Sequence, residues 1–350
     1  MSTMQSLTYV RAGRFEWRER RSPSLRGPGE ALVRPVAASI CDIDRPLITG
    51  TAPWEGPFSV GHEAVSEVLD IADTGTNVRL GDLVAVNWHI NCGRCDRCWR
   101  GLTAHCREVP AGAMYGLPAG GDWGGLFDDV VRVPYANAML TPLPAGVDPV
   151  DAVAAGDNLS LGYQIVTRHL AAGARRFLIL GRAAVGINQT AFAVALGAGE
   201  VIYVDDVPSH RDVAERLGAT AVAGPPDRTL GTFDVAIDAS FNPDWLRRSL
   251  RMVEPEGTVE CLGGYFGDEP LPLFAMYARG VTFRIARASN GPFVAPTLAA
   301  LKNGTVTPSA WSQPISWEIT PQALTEPTLK PVARRPPLTR GETGPITAQP

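Results

Sequence analysis

The stretch that decides the fold is FLILGRAAVGINQTAFAVALGAGEVIYVDD, Phe177 to Asp206. It runs from an apolar strand pattern through Gly181 into a helical pattern, then into a second apolar strand ending in acid. That succession is one βαβ unit of a parallel sheet. In the usual G-x-G-x-x-G turn the first Gly makes the bend. The second lets backbone approach a pyrophosphate, and the third lets the helix pack on the strand. Here those positions are Gly181, Ala183 and Gly186. Ala183 puts a methyl where the phosphate should come close, yet the flanking strand, helix and acid fall where a dinucleotide site needs them. Gly181, Ala183, Val185 and Gly186 are therefore the expected cofactor-facing turn. Asp205, nineteen residues past Gly186, is placed to accept hydrogen bonds from the adenosine ribose. A carboxylate there repels a 2′-phosphate, which favours NAD over NADP.

Working outward, ATAVAG, FDVAIDAS, GTVECLGG and VTFRIARA continue the strand pattern, with helical segments such as PDWLRRSLRMV between them. Strand alternating with helix predicts an α/β, doubly wound parallel sheet. Upstream the first 150 residues read as β-rich: EALVRPVAAS, AVSEVLDI, DLVAVNWHI and DDVVRVP are short runs separated by Gly, Pro and Asp. DPVDAVAAGDNLSLGYQIVTRHL then predicts one or two helices, with Asp148 or Asp151 near the first N-terminus. After Ser289 the pattern is mixed, and residues 334–350 have the Pro, Gly and polar content of a mobile tail.

The 350 residues are 45% hydrophobic and 19% charged, with a net charge of -4. This balance suits two soluble domains and offers no basic surface for nucleic acid or anionic membrane. No apolar run reaches membrane-spanning length and no signal-peptide core opens the chain, so a cytoplasmic location is expected. Only Lys302 and Lys330 are lysines, against thirty arginines.

Four of the six cysteines crowd into NCGRCDRCWRGLTAHC, at C-x2-C-x2-C-x7-C. In a reducing cytosol such a cluster binds metal rather than forming disulfides. Four thiolates close a tetrahedral Zn²⁺ and leave no water position, so Cys92, Cys95, Cys98 and Cys106 read as a structural zinc lobe. The polar loop, with no companion redox motif, argues against an iron–sulfur cluster.

With SICDIDRPLITG near the start, GHEAVSEV about twenty residues on, the four-Cys lobe and the nucleotide unit behind them, the chain resembles the zinc-dependent alcohol dehydrogenase branch of the medium-chain dehydrogenase/reductase family. The resemblance spans about Met4 to Val332. It implies a GroES-like catalytic domain from residues 1–155 and 290–333, and a Rossmann domain from 156–289, with the active site where the domains meet. It also implies a second, catalytic zinc. Cys41 matches the first ligand, His62 the second and Asp157 the variable third, as in members acting on secondary alcohols. Glu63 matches the acid beside the metal, and Asp44 the carboxylate that orients the imidazole. Two zinc ions per chain, a small-molecule substrate and a homodimer or homotetramer follow as expectations, with VTFRIARA a candidate for subunit pairing.

One departure bears on mechanism. The family places Ser or Thr two residues after the first ligand cysteine to begin a proton relay; this chain has Ile43, which carries no transferable proton. A water, Asp42 or Glu63 then has to take that part. Asp42 also puts a negative charge where some relatives hold a basic residue near the pyrophosphate. The sequence is compatible with three functions. The first is hydride transfer between NAD(H) and a secondary alcohol or polyol. The second is an NAD(P)H-dependent C=C or C=N reductase on the same scaffold. The third is a non-enzymatic relative.

Overall fold

The computed structural model describes residues 2–73, 75–285 and 287–338. The expected tail beyond 338 lies outside the described residues. Its start does not: Arg334 closes a strand, Arg335 Nη1 pairs with Asp129 at 2.6 Å, and the Leu338 amide donates to Glu67 at 2.7 Å. The chain divides into two compact units, one of residues 1–160 and 288–350, the other of 161–287.

The first unit is built on strand Ala31–Ser39. It pairs antiparallel with Glu63–Ile71 on one side and, on the other, with the returning strand Pro331–Arg334 and the short Val131–Val133. Leu83–Val86, Leu140–Pro142 and Gln313–Ser316 extend this seven-stranded sheet. A smaller sheet joins Arg14–Arg21, Thr3–Arg11 and Phe58–Ser59. Their inward side chains form one apolar cluster that includes Leu7, Val33, Val68, Tyr115 and Phe127, each fully buried. The N-terminal hairpin was not apparent in the sequence. Its outer strand, RFEWRERR, is charged at nearly every second position because only one of its faces is covered.

Register in this sheet assembles the site described below. Ser39 stands opposite both Glu63 and Val332. Cys41, two residues past Ser39, Glu63 at the head of its strand, and Lys330 just ahead of the return strand thus converge at one sheet end. Asp157 reaches the same place from the chain between helices Pro149–Ala152 and Asn158–Ala171. Asp148 caps the first helix by accepting from the Val150 amide at 2.8 Å. Gly156 is required there, since a Cβ would lie 1.8 Å from the Val86 carbonyl oxygen.

The second unit is a six-stranded sheet in the order Thr220–Val222, Glu200–Val204, Arg176–Leu180, Phe233–Asp238, Val253–Cys261 and Thr282–Ile285, every pair parallel. In strand numbering within the unit this is 3-2-1-4-5-6, the doubly wound dinucleotide-binding order. Helices Ala184–Ala195, Pro208–Arg216 and Pro243–Ser249 connect the strands. After their first residues, Arg176 and Glu200, the two central strands Arg176–Leu180 and Glu200–Val204 are apolar and buried, as strands covered on both faces must be.

Candidate active site

Cys41, His62 and Asp157 come together with their ligand-type atoms all within 4.8 Å of one another, in the interior. The ring of His62 lies between two carboxylates: Nδ1 is 3.5 Å from Asp44 Oδ2 and Nε2 is 3.6 Å from Asp157 Oδ2. Both spans are too long for good hydrogen bonds. Asp44 is itself fixed, since its Oδ2 accepts from the Cys41 amide at 3.0 Å.

The charge balance of this pocket states what it lacks. Asp42, Asp44, Glu63 and Asp157 are all at most 7% exposed, and Lys330 is the one lysine buried with them. Burial pushes the Cys41 thiol far up, and the Asp157 and Glu63 charges add to the push. Burial pulls His62 down, but Asp44 and Asp157 outweigh it and carry the ring up to about 9. Burial also raises Asp44. Asp157 ends below its ordinary value because the neighbouring His62 charge, helped by the Lys330 ammonium, outweighs its burial. A buried surplus of negative charge around a thiol, an imidazole and a carboxylate fits a divalent cation with nitrogen, sulfur and oxygen ligands.

Two further residues, which no sequence motif marks, complete the cluster. Lys330 Nζ donates to the Ile40 carbonyl at 2.9 Å and to Glu63 Oε2. Asn158 Nδ2 donates to Glu63 Oε1 and lies 3.4 Å from Cys41 Sγ. Glu63 is thus held at both oxygens. Burial pushes its carboxyl up while the Lys330 ammonium opposes; Lys330 is held up in turn by Glu63 despite its own burial. The scarcity of lysine was the available signal. Where thirty basic positions take Arg, one of only two lysines can mark a place that needs a compact ammonium.

Ile43 is half-buried and packs against the apolar cluster. Asp42 is turned inward, 3% exposed, with its Oδ1 3.5 Å from Arg45 Nε. Of the aromatics, Trp88 sits beside His62 at 6.2 Å between ring centroids, and Tyr115 is core, donating to the Arg132 carbonyl at 3.0 Å. Trp54 and Trp123 are half-buried; Trp123 lines a separate cavity of about 360 Å³ with Arg20 and Asp122.

In the cysteine lobe the four sulfurs of Cys92, Cys95, Cys98 and Cys106 also lie within 4.8 Å of one another. Amides of Cys92 and Glu108 donate to Cys106 Sγ, and the Arg94 amide to Cys92 Sγ, each at 3.4 Å. The Arg107 amide is the main reason that the Cys95 thiol drops to about 6. Amide-solvated sulfurs with one thiol already poised to ionise fit a closed thiolate site. All six cysteines are free.

In the nucleotide turn Ala183 adopts φ +94° and ψ −148°, a backbone region used almost only by glycine. The bend is kept at a strain of roughly 1–3 kcal/mol. Gly181 admits no side chain, because a Cβ would lie 2.0 Å from the Tyr203 hydroxyl. Val185 and Gly186 are buried in the first turn of helix Ala184–Ala195. Asp205 is buried as well. Its Oδ2 accepts from Tyr203 at 2.7 Å and stands 3.0 Å from His210 Nδ1, and its Oδ1 accepts from the Val207 amide at 2.8 Å. A cavity of about 220 Å³ opens beside the turn, lined by Gly181, Arg182, Asp206, Asn242 and Trp245 among others.

Comparison with known proteins agrees with this geometry. Residues 27–145 match the alcohol dehydrogenase GroES-like domain family and residues 184–303 the zinc-binding dehydrogenase family. A probable zinc-binding alcohol dehydrogenase of Mycobacterium tuberculosis is 28% identical over 292 residues, covering 81% of this chain and 75% of that protein. L-threonine 3-dehydrogenase of Pyrococcus abyssi is 30% identical over 256 residues, covering 69% and 70%. Among solved structures, the alcohol dehydrogenase TADH from Thermus sp. ATN1 superposes with a TM-score of 0.85 at 27% identity, over 95% of this chain and 99% of that one. With a GroES-like unit carrying both metal-type clusters and a doubly wound unit carrying the nucleotide turn, the chain belongs to the zinc-dependent alcohol dehydrogenase branch of the medium-chain dehydrogenase/reductase family and is an oxidoreductase of that kind.

Proposed function

We propose that the chain transfers hydride between NAD(H) and a secondary alcohol or polyol and its ketone. The observation that carries this reading is the buried convergence of Cys41, His62 and Asp157. These three would hold a catalytic zinc, and Cys92, Cys95, Cys98 and Cys106 a structural one, giving two per chain. When bound, the catalytic ion supplies Lewis acidity toward an alcohol or carbonyl oxygen.

The chain's own residues set the rest. Asp44 aims the His62 ring so that Nε2 faces Asp157. Lys330 and Asn158 hold Glu63 at both carboxylate oxygens, which keeps it from swinging toward the ligands. Ile43 offers no proton path, Glu63 is engaged and Asp42 faces Arg45, so this reading assigns the proton to a solvent water. The relatives named above act on alcohols and on threonine, which favours alcohol chemistry over C=C or C=N reduction.

NAD is favoured over NADP because the cavity beside the turn carries carboxylate. Self-association into a homodimer or homotetramer is part of the same reading. Strand Thr282–Ile285 ends the sheet, and near it in sequence Leu273, Phe274 and Tyr277 are 68%, 83% and 83% exposed. Free cysteines suit a reducing, cytoplasmic setting, and no helix among the described residues is long and apolar enough to cross a membrane. A panel of secondary alcohols, polyols and enones, followed at the NADH absorbance, tests the reading. Oxidation of alcohols with NAD supports it; turnover of enones alone would defeat it.

A further inference from the structure

The backbone of Asp157 is held from outside its own turn. Its amide donates locally, to the Ala154 carbonyl at 3.0 Å. The carbonyls on either side of that amide are taken by distant residues. The Gly156 carbonyl accepts from the Trp88 amide at 3.3 Å, and the Asp157 carbonyl accepts from Asn290 Nδ2 at 2.6 Å. Asn290 is 0% exposed, and its Oδ1 has no hydrogen-bond partner among the described residues. Packing alone disfavours a buried amide with its oxygen unmet. The bond to Asp157 is the contact that accounts for a polar side chain here.

Both holding groups lead to the four-cysteine lobe. Trp88 lies four residues ahead of Cys92, and the next residue, His89, meets Thr103 Oγ1 through Nε2 at 2.9 Å. Thr103 and Ala104 lie between Cys98 and Cys106. The Ala104 amide donates to Ser289 Oγ at 3.2 Å, and Ser289 immediately precedes Asn290. The approach is close, since a Cβ on Gly291 would lie 3.0 Å from Thr103 Cγ2. One path thus runs from Cys106 through Ala104, Ser289 and Asn290 to Asp157. All of these residues belong to the first unit.

We propose that the four-cysteine lobe sets the backbone of Asp157 through Ser289 and Asn290, so that filling the lobe governs how firmly Cys41, His62 and Asp157 keep a metal. The inference rests on the reading of both clusters as metal sites. Four sulfurs within 4.8 Å of one another do not all stay thiolate without a cation among them. An emptied lobe therefore loosens between Cys92 and Cys106, and the Ala104–Ser289 bond slackens with it. Ser289 and Asn290 are positioning residues and hold no metal themselves.

The test is zinc release to a chromophoric chelator from wild type, S289A, S289T, N290A, the lobe variant C95A/C98A and that variant combined with N290A. Asp157→Ala, which keeps only the lobe metal, assigns the two phases of release. N290A and the lobe variant should each release zinc from the Cys41 cluster about tenfold faster than wild type. Combined, they should be no more than about twofold faster than the lobe variant alone, because both cut one path. S289A should speed the same phase, and S289T, which keeps the hydroxyl, should restore it. An unchanged phase in N290A or in the lobe variant would overturn the inference, as would effects that multiply in full. Should the lobe variant fail to fold, N290A and the contrast of S289A with S289T decide it. A wild type holding zinc in the lobe alone would defeat the metal reading itself, a result distinct from two zinc ions released at unaltered rates.

Discussion

Lys330 and Glu63 lie 267 residues apart in sequence and form an ion pair beside the cluster of Cys41, His62 and Asp157, with the lysine 3% and the glutamate 0% exposed. The return strand Pro331–Arg334 brings the lysine in, and its ammonium bridges the Glu63 carboxylate and the Ile40 carbonyl. The pair fixes an acidic side chain next to three ligand-type residues.

Removing one partner leaves the other charge buried and uncompensated. Lys330→Met should destabilise the first unit by about 3–5 kcal/mol at neutral pH, measured by urea denaturation. The double change with Glu63→Gln should recover much of that loss. Arg at 330 is a poor substitute, because its planar fork does not reproduce a compact ammonium between two acceptors.

Asp44 touches His62 and the Cys41 amide and stands back from the three ligand-type atoms. Asp44→Asn should therefore weaken retention of a metal held by Cys41, His62 and Asp157 about ten- to a hundredfold. Competition with a chromophoric chelator measures it. The metal of the four-cysteine lobe serves as the unaffected reference in the same sample.

Ile43 supplies no hydroxyl where a relay would begin. If proton release limits turnover, Ile43→Thr should raise alcohol oxidation near neutral pH, and the rise should shrink as pH increases. A wild type that already turns alcohols over quickly, with no gain in the variant, would place the proton path elsewhere.

Burial pushes the Asp205 carboxyl up, but His210, Tyr203 and the Val207 amide outweigh it and hold the group below its ordinary value. A carboxylate depressed by folding contributes stability above its unfolded pKa and loses it as pH falls through the folded one. Asp205→Asn should thus be less stable than wild type at pH 7. The gap should close as the pH drops below about 4, the unfolded aspartate value. Denaturant midpoints at several pH values check the trend.

What the sequence discloses here is what is local. The glycine turn sits within one βαβ unit, and the four lobe cysteines span fifteen residues, so spacing alone carries their chemistry. Cys41, His62 and Asp157 were legible only through resemblance, because sheet register, not spacing, brings them together. Asn158 and Lys330 lay hidden for the same reason: each reaches Glu63 across a long loop of chain. Asp205 was placed correctly along the chain, but its closure by Tyr203 and His210 depends on side-chain packing that a motif does not express.

The proposed reading requires two metals per chain, one in the four-cysteine lobe and one at Cys41, His62 and Asp157. Zinc per chain, measured on protein purified without added metal or chelator, tests it most directly. Two equivalents are expected in wild type, falling to one in Asp157→Ala with the fold intact. One equivalent in wild type, not raised by reloading with zinc, would contradict it and leave the lobe as the sole metal site.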